Sequence, residues 1–146
     1  MDRPALLFQL TSALPPAMRA WQRLIDTQLS ADAISGACVG PLLMIGRAGG
    51  GIRQVAVAQQ LGMEGPSLVR LLDKLCAGGL VRRENDSSDR RANQLWLSDE
   101  GQALYLRLEE ALKQLRARVF AGLSSQELQA VLRFYQALEE ASTRLP

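Results

Sequence analysis

The chain has 146 residues, of which 47% are hydrophobic and 22% charged, a composition that supports one ordinary core and excludes disordered and collagen-like classes. It has no histidine and only two cysteines, neither in a CxxC pair, which excludes histidine-based zinc sites, Ser-His-Asp triads, Cys-His dyads and a disulfide framework. The positive charge is unevenly distributed: residues 47–97 carry eight basic and five acidic side chains, an excess of three within a net charge of +2. Residues 1–46 and 98–146 are each balanced to within one charge. We therefore expect a binding protein, without cofactor or metal, and not an enzyme.

The chain lacks a signal-peptide pattern at its start and any run of about 18 uncharged apolar residues. We expect a cytoplasmic protein with no membrane partner.

The opening third of the chain is predicted to be helical. Apolar residues from Leu6 to Leu29 recur at steps of three and four, and Pro15 and Pro16 are expected to break or kink the first helix. A further helix is predicted around Cys38 to Ile45, ended by the three glycines at 49–51.

Two short helices joined by a tight turn are predicted between Arg53 and Leu75. The apolar positions are Val55, Ala58 and Leu61 in the first helix and Leu68, Leu71, Leu72 and Leu75 in the second. Gly62 suits the turn, Pro66 suits the first position of the second helix, and Gly78-Gly79 suits its end.

The apolar period then changes to two, which predicts a β-hairpin between Gly79 and Leu97 with its turn at residues 85–88. A long helix follows with Ser98 as its N-cap and apolar residues from Leu104 to Val119. Ser124 and Glu127 form a capping-box pattern at the start of a last helix, whose apolar face is Leu128, Val131, Leu132, Tyr135 and Leu138.

Helix, turn, helix and basic hairpin, in that order, form a winged helix-turn-helix, in which the second helix enters the major groove of DNA and the hairpin reaches the backbone and minor groove. Because leucines occupy one face of the second helix, Ser67, Arg70 and Lys74 are expected on the other. A solvated helix face without DNA is the alternative.

The sequence resembles the MarR family, and within it the SlyA branch. The resemblance rests on the run from Gly65 to Arg70, the segment Gly79 to Arg83, and Asp89-Arg90-Arg91-Ala92 followed by Leu95, Leu97, Ser98 and Gly101. It implies a mostly helical α+β winged helix-turn-helix at residues 35–101, with helices at 1–34 and 102–146 that form an intertwined homodimer.

The resemblance further implies a transcription regulator that binds a pseudo-palindromic duplex. Pro66, Ser67, Arg70, Lys74 and Arg90 would belong to the DNA-binding surface, with Ser67 and Arg70 at groove edges and phosphates. Arg91 would enter the minor groove and Asp89 would orient it, since residues two apart on a strand point the same way. Ser88 departs from the family pattern, which has another arginine at this point of the wing.

A small phenolic or carboxylate effector is the remaining candidate partner, and the resemblance places it near Trp21, Cys38 and Leu42. For Cys38, a packed small apolar residue and a redox sensor are the two interpretations. The rival functions are a hydrolase or transferase and a winged-helix protein-interaction module that does not bind DNA.

Overall fold

The structure is a computed structural model that describes residues 1–29, 34–86 and 89–145, with the backbone alone at residues 86 and 89–92. Within them the elements are α1 (Arg3–Leu29), α2 (Gly36–Arg47), β1 (Ile52–Arg53), α3 (Gln54–Leu61), α4 (Gly65–Ala77), β2 (Val81–Asp86), β3 (Asp89–Leu97), α5 (Asp99–Val119) and α6 (Ser125–Arg144). The predicted helical α+β class is confirmed. Over the same ranges, no helix has the length and apolar character needed to cross a bilayer. The chain divides into two compact units, residues 1–112 and 113–146.

The first helix is continuous, so the predicted break at Pro15 and Pro16 is wrong. Both prolines lie inside α1, which runs for 27 residues. The φ angle of proline is already helical, so the chain can continue through each proline despite the missing N–H bond and the crowding of the ring against the carbonyl four residues earlier. The turns on either side keep their own hydrogen bonds, and the helix therefore continues.

The two short helices α3 and α4 form the predicted helix-turn-helix. Gly62 has a φ of +62°, and beyond it the N–H of Met63 donates to the carbonyl of Ala58 at 2.9 Å. A side chain would strain this left-handed backbone, so glycine permits the tight turn. Pro66 was predicted at the first position of α4 and is its second residue, still within the first turn, where a missing N–H leaves no partner unsatisfied.

One face of α4 lies at the centre of the core. Leu68 and Leu72 are fully inaccessible to solvent, and α4 packs against α2 and β2. The expectation for α3 was wrong in part, because Val57 is its buried residue while Val55 is 66% exposed. A helix of 8 residues has too few turns for apolar spacing alone to determine which face is inside.

The predicted hairpin is confirmed as the antiparallel pair β2 and β3, with Val81 opposite Leu97. The predicted turn is wrong for Asn85 and Asp86, which continue strand β2, and its other residues, Ser87 and Ser88, lie outside the described residues. A third strand, β1, was missed. It has two residues and pairs Ile52 with Leu95, which makes β3 the central strand of the order β1-β3-β2. Two residues are too few to show the alternation by which strands are recognised in a sequence.

The hairpin is joined to the helices at a crowded junction where α4 ends and α5 begins. Gly79, at a φ of +72°, ends α4, and its carbonyl accepts a hydrogen bond from the Ser98 hydroxyl at 2.6 Å. The same hydroxyl accepts from the N–H of Gly101 at 3.0 Å, which confirms Ser98 as the N-cap of α5. Gly101 is buried against the backbone of Leu80.

The last two helices differ in how much apolar surface they bury. On α5 four residues of the predicted stripe are inside: Leu104, Leu108, Leu112 and Leu115. The fifth, Val119, is exposed, because it is the last residue of the helix and has no following turn to cover it. On α6 no residue is buried, and its apolar face is exposed: Leu128, Val131, Leu132, Tyr135 and Leu138. The Ser124–Glu127 capping box at the start of α6 is confirmed, and the backbone and hydroxyl of Ser124 hold the pKa of Glu127 below its ordinary value.

Replacing Gly101 by alanine tests the junction. An added Cβ would meet the Leu80 backbone, with the carbonyl carbon at 2.9 Å, and backbone cannot move aside as a flexible side chain does. We expect a loss of about 1–3 kcal/mol in the free energy of unfolding, although alanine has the better helix propensity. Urea denaturation followed by circular dichroism at one protein concentration measures it.

Gly122→Ala is the control for this substitution, because no atom lies within 4 Å of its added Cβ. A Gly101→Ala protein at least as stable as Gly122→Ala would contradict the prediction, since it would show that the junction accommodates an added Cβ.

Candidate nucleic-acid interface

The polar face of α4 is presented to solvent. Pro66, Ser67, Arg70 and Lys74 are exposed, while Leu68, Leu72 and Leu75 on the opposite side are buried. Because Ser67, Arg70 and Lys74 are three and four residues apart, they lie along one side of the helix. The structure therefore brings together the four residues predicted on α4.

The remaining predicted DNA contacts belong to the hairpin of residues 81–97, here called the wing. Asp89, Arg90 and Arg91 open strand β3, and Asp89 pairs with Asp86 across an irregular register next to Asn85. Their side chains lie outside the described residues. The orientation of Arg91 by Asp89 stays a prediction.

Two other basic residues of the wing have partners that the sequence did not reveal. Arg82 is 2.6 Å from a carboxylate oxygen of Glu84, and its guanidinium lies 5.7 Å from the centre of the Trp96 ring. Arg83 reaches back to α4 and is 2.8 Å from a carboxylate oxygen of Asp73. The only signal in the sequence was the presence of opposite charges, which does not identify pairs.

A further ion pair joins α2 to α5. The Nε of Arg47 is 2.6 Å from one carboxylate oxygen of Glu109, and a second nitrogen is 3.3 Å from the other. This hydrogen bonding raises the pKa of Arg47 above its ordinary value. Because the Arg47 side chain is half exposed, the ion pair contributes little to the free energy of unfolding. Its main effect is to hold the Arg47 guanidinium in one direction.

A cavity of about 560 Å³ lies between α2, the end of α4 and the start of α5. Cys38 lines it together with the cationic side chains of Lys74 and Arg107, while Trp21 and Leu42 are not among the described residues that form its wall. Leu42 is fully buried in the core. Of the three predicted effector residues, the cavity therefore includes Cys38.

The thiol of Cys38 is buried and packed among polar neighbours. It lies 3.3 Å from the hydroxyl of Ser35 and 3.9 Å from the carbonyl oxygen of Leu71. Across the part of the chain that the structure describes, no group of three or more Cys, Asp or Glu side chains could hold a metal ion.

The comparisons with known proteins agree with this geometry. A family model described as the MarR family matches residues 34–92. The solved transcriptional regulator PA3341 is 34% identical, with 90% of this chain and 98% of that chain covered and a TM-score of 0.77.

Two more distant relatives were solved with DNA. A mutant of MarR from E. coli, complexed with operator DNA, is 21% identical over 100% of both chains, with a TM-score of 0.80. A regulator described as MarR family from Listeria monocytogenes, complexed with a 26mer DNA, is 16% identical over 89% of this chain and 86% of that chain, with a TM-score of 0.81.

At these two identities the likeness shows the fold alone, and it confirms the predicted winged helix-turn-helix. The family-model match and the 34% identity over nearly the whole of both chains go further. The chain belongs to the MarR family of transcription regulators.

Proposed function

We propose that the protein is a sequence-specific DNA-binding transcription regulator that acts as a homodimer on a pseudo-palindromic duplex. The observation that carries the proposal is the two-sided character of α4. Leu68, Leu72 and Leu75 are buried in the core, and Ser67, Arg70 and Lys74 are exposed to solvent. Two relatives with this fold are described in complex with DNA.

The chemistry of these side chains suits the two kinds of DNA contact. The planar fork of Arg70 can donate two parallel hydrogen bonds to the edge of a guanine, which distinguishes bases. Lys74 and the serine hydroxyl of Ser67 suit phosphate oxygens, which set position and affinity. Arg90 and Arg91 extend the basic surface along the wing, and we infer that Arg91, held by Asp89, enters the minor groove.

Dimerisation would cover the apolar faces that each unit leaves exposed. On α1 the large exposed apolar residues are Leu6, Leu7, Phe8, Leu10, Met18 and Leu24, and on α6 they are the five of its apolar face. Contiguous exposed apolar patches of this kind mark interaction surfaces. We therefore assign residues 1–34 and 102–146 to a dimerisation domain and residues 35–101 to DNA binding, and we place the protein in the SlyA branch on its wing and α4 sequences.

An acidic aromatic effector is the candidate ligand for the cavity beside Cys38. Lys74 and Arg107 outnumber the one carboxylate of the wall, Glu100, and Leu75, Leu80 and Leu104 supply apolar contact. A carboxylate on an aromatic ring would therefore meet an excess of positive charge and an apolar surface. Because Lys74 and Leu75 belong to α4, a bound ligand would change the orientation of that helix. The affinity of the protein for DNA would change with it.

The rival functions predict different behaviour. A winged-helix interaction module or an enzyme would not bind generic duplex DNA, so a salt titration would be flat. A regulator that contacts many phosphates would show a steep salt dependence. A cysteine redox sensor would lose DNA affinity on mild oxidation in a way that Cys38→Ser abolishes.

Substitution of Arg70 tests base reading. Arg70→Ala should weaken binding to the selected operator by about 1–3 kcal/mol and weaken binding to random duplex much less. Fluorescence anisotropy with both duplexes at several salt concentrations measures the two affinities. Arg144→Ala, which removes an exposed arginine near the end of α6, is the charge-matched control. Equal losses on the two duplexes would reduce Arg70 to a phosphate contact.

Substitution on α6 tests the dimer. Leu132 is 59% exposed, and Leu132→Glu would place a charge in the apolar face, so we expect a monomer with at least tenfold weaker operator binding. Gln129→Glu adds the same charge away from that face and should stay dimeric. Sedimentation velocity at micromolar concentration distinguishes them, and a folded wild-type monomer there would contradict the proposal.

Calorimetric titration of salicylate into free and operator-bound protein tests the effector. By linkage, an effector that weakens DNA binding must itself bind the DNA complex more weakly by the same factor, and typical couplings correspond to roughly 5–150-fold. Ala103 lines the cavity, so Ala103→Leu should reduce salicylate binding while leaving operator binding intact. Equal salicylate affinities of the free and the operator-bound protein, or no binding at millimolar concentration, would refute the effector proposal. The proposal of DNA binding would not be affected.

A further inference from the structure

The side chain of Arg83 connects the wing to α4 through two contacts. Its guanidinium is 2.8 Å from a carboxylate oxygen of Asp73 and also donates to the main-chain carbonyl oxygen of Val69 at 3.5 Å. Val69 and Asp73 are four residues apart, so both acceptors lie on the same flank of the helix. Two acceptors one turn apart restrain the direction of the guanidinium more than a single ion pair would.

The position of Arg83 on strand β2 explains why it reaches the helix. It pairs with Leu95, which is fully buried, and it is two residues from the buried Val81. Alternate residues of a strand share a face. Arg83 therefore lies on the inner face of the wing, whereas Arg82 lies on the other face with Trp96. The two neighbouring arginines cannot have the same role.

Asp73 has an unfavourable place for a DNA-binding helix. It is the one acidic residue of α4, it stands between Arg70 and Lys74 in the chain, and its side chain is 60% exposed. A free carboxylate there would repel the phosphates that the neighbouring cations attract. The guanidinium of Arg83, whose own side chain is 27% exposed, supplies the compensating charge.

We propose that Arg83 is a positioning residue that holds the wing at a fixed angle to α4 and neutralises Asp73, so that helix and wing engage DNA together. It acts through α4 and not through its own contact with DNA. This inference rests on the proposed DNA-binding function.

The test compares Arg83→Gln, Asp73→Asn and the control Arg82→Gln. The measured quantity is the ratio of affinity for the selected operator to affinity for random duplex, with absolute affinities at matched salt. Arg83→Gln and Asp73→Asn change the net charge in opposite directions, so their effects on random duplex should be opposite in sign. The operator-to-random ratio should nevertheless fall in both, by about two- to fivefold, the range that exposed ion pairs support.

The control and a conservative variant separate positioning from charge. Arg82→Gln removes the same charge one residue away and should leave the ratio unchanged. Arg83→Lys keeps the charge and one contact and should restore part of the ratio lost in Arg83→Gln, because an ammonium lacks the guanidinium fork. An unchanged operator-to-random ratio in both Arg83→Gln and Asp73→Asn would overturn the proposal. So would a weaker salt dependence of DNA affinity in Arg83→Gln alone, by the amount that one lost phosphate contact accounts for, since Arg83 would then contact DNA itself.

Amide hydrogen exchange in the free protein tests the restraint without DNA. Exchange in β2 should quicken in Arg83→Gln and Asp73→Asn and not in Arg82→Gln, since loss of the tie lowers the free energy for local opening of the wing. Unchanged exchange in β2 would overturn the proposal. Absence of operator selection in the wild-type protein would instead refute the proposed function, a separate outcome.

Discussion

Burial of the leucine face of α4 is the interaction on which the rest of the structure depends. Leu68, Leu72 and Leu75 have essentially no solvent contact, and each would expose apolar area worth roughly 1.5–3 kcal/mol if the helix turned outward. The helix therefore has one orientation about its axis. That orientation alone decides that Ser67, Arg70 and Lys74 face solvent and that Asp73 lies toward the wing.

The wing depends on the same helix at both of its ends. Where α4 stops at Gly78 and Gly79, the chain passes directly into β2, and the strand that returns is joined through Ser98 to the carbonyl of Gly79. Gly101 packs so closely against the Leu80 backbone that no side chain fits between the start of α5 and the start of the wing. Helix and wing are thus connected at this junction by the chain, by a hydrogen bond and by close packing, and a fixed relation between them suits contact with two parts of a duplex.

Five basic side chains of the middle region, all among the described residues, divide into two groups with different physical roles. Arg47, Arg82 and Arg83 are engaged with Glu109, Glu84 and Asp73, so their charges act mainly within the protein. Arg70 and Lys74 remain on the exposed face of α4. Composition counts all of these alike, which is why an excess of positive charge is a weak indicator of a DNA surface.

The amino-acid sequence by itself determined most elements and the family. Its apolar spacing, the glycines at 62 and 79 and the caps at Ser98 and Ser124 are local signals, each a consequence of backbone geometry within one turn or strand. The spacing of the leucines on α4 predicted that Ser67, Arg70 and Lys74 face outward, and the structure places all three on the exposed side. The resemblance added the roles proposed for them in DNA binding.

Other features were decided only by tertiary structure. The continuity of α1 through two prolines, the two-residue strand β1, the burial of Val57 in place of Val55, and the partner of Arg83 all depend on which segments meet in space. So does the wall of the cavity, which includes Cys38 but not Leu42. The apolar periodicity of a sequence indicates which side of a helix or strand is apolar. A strand pair, an ion pair or a cavity wall is instead formed by residues distant in the chain. Core packing, and not local conformational preference, brings those residues together.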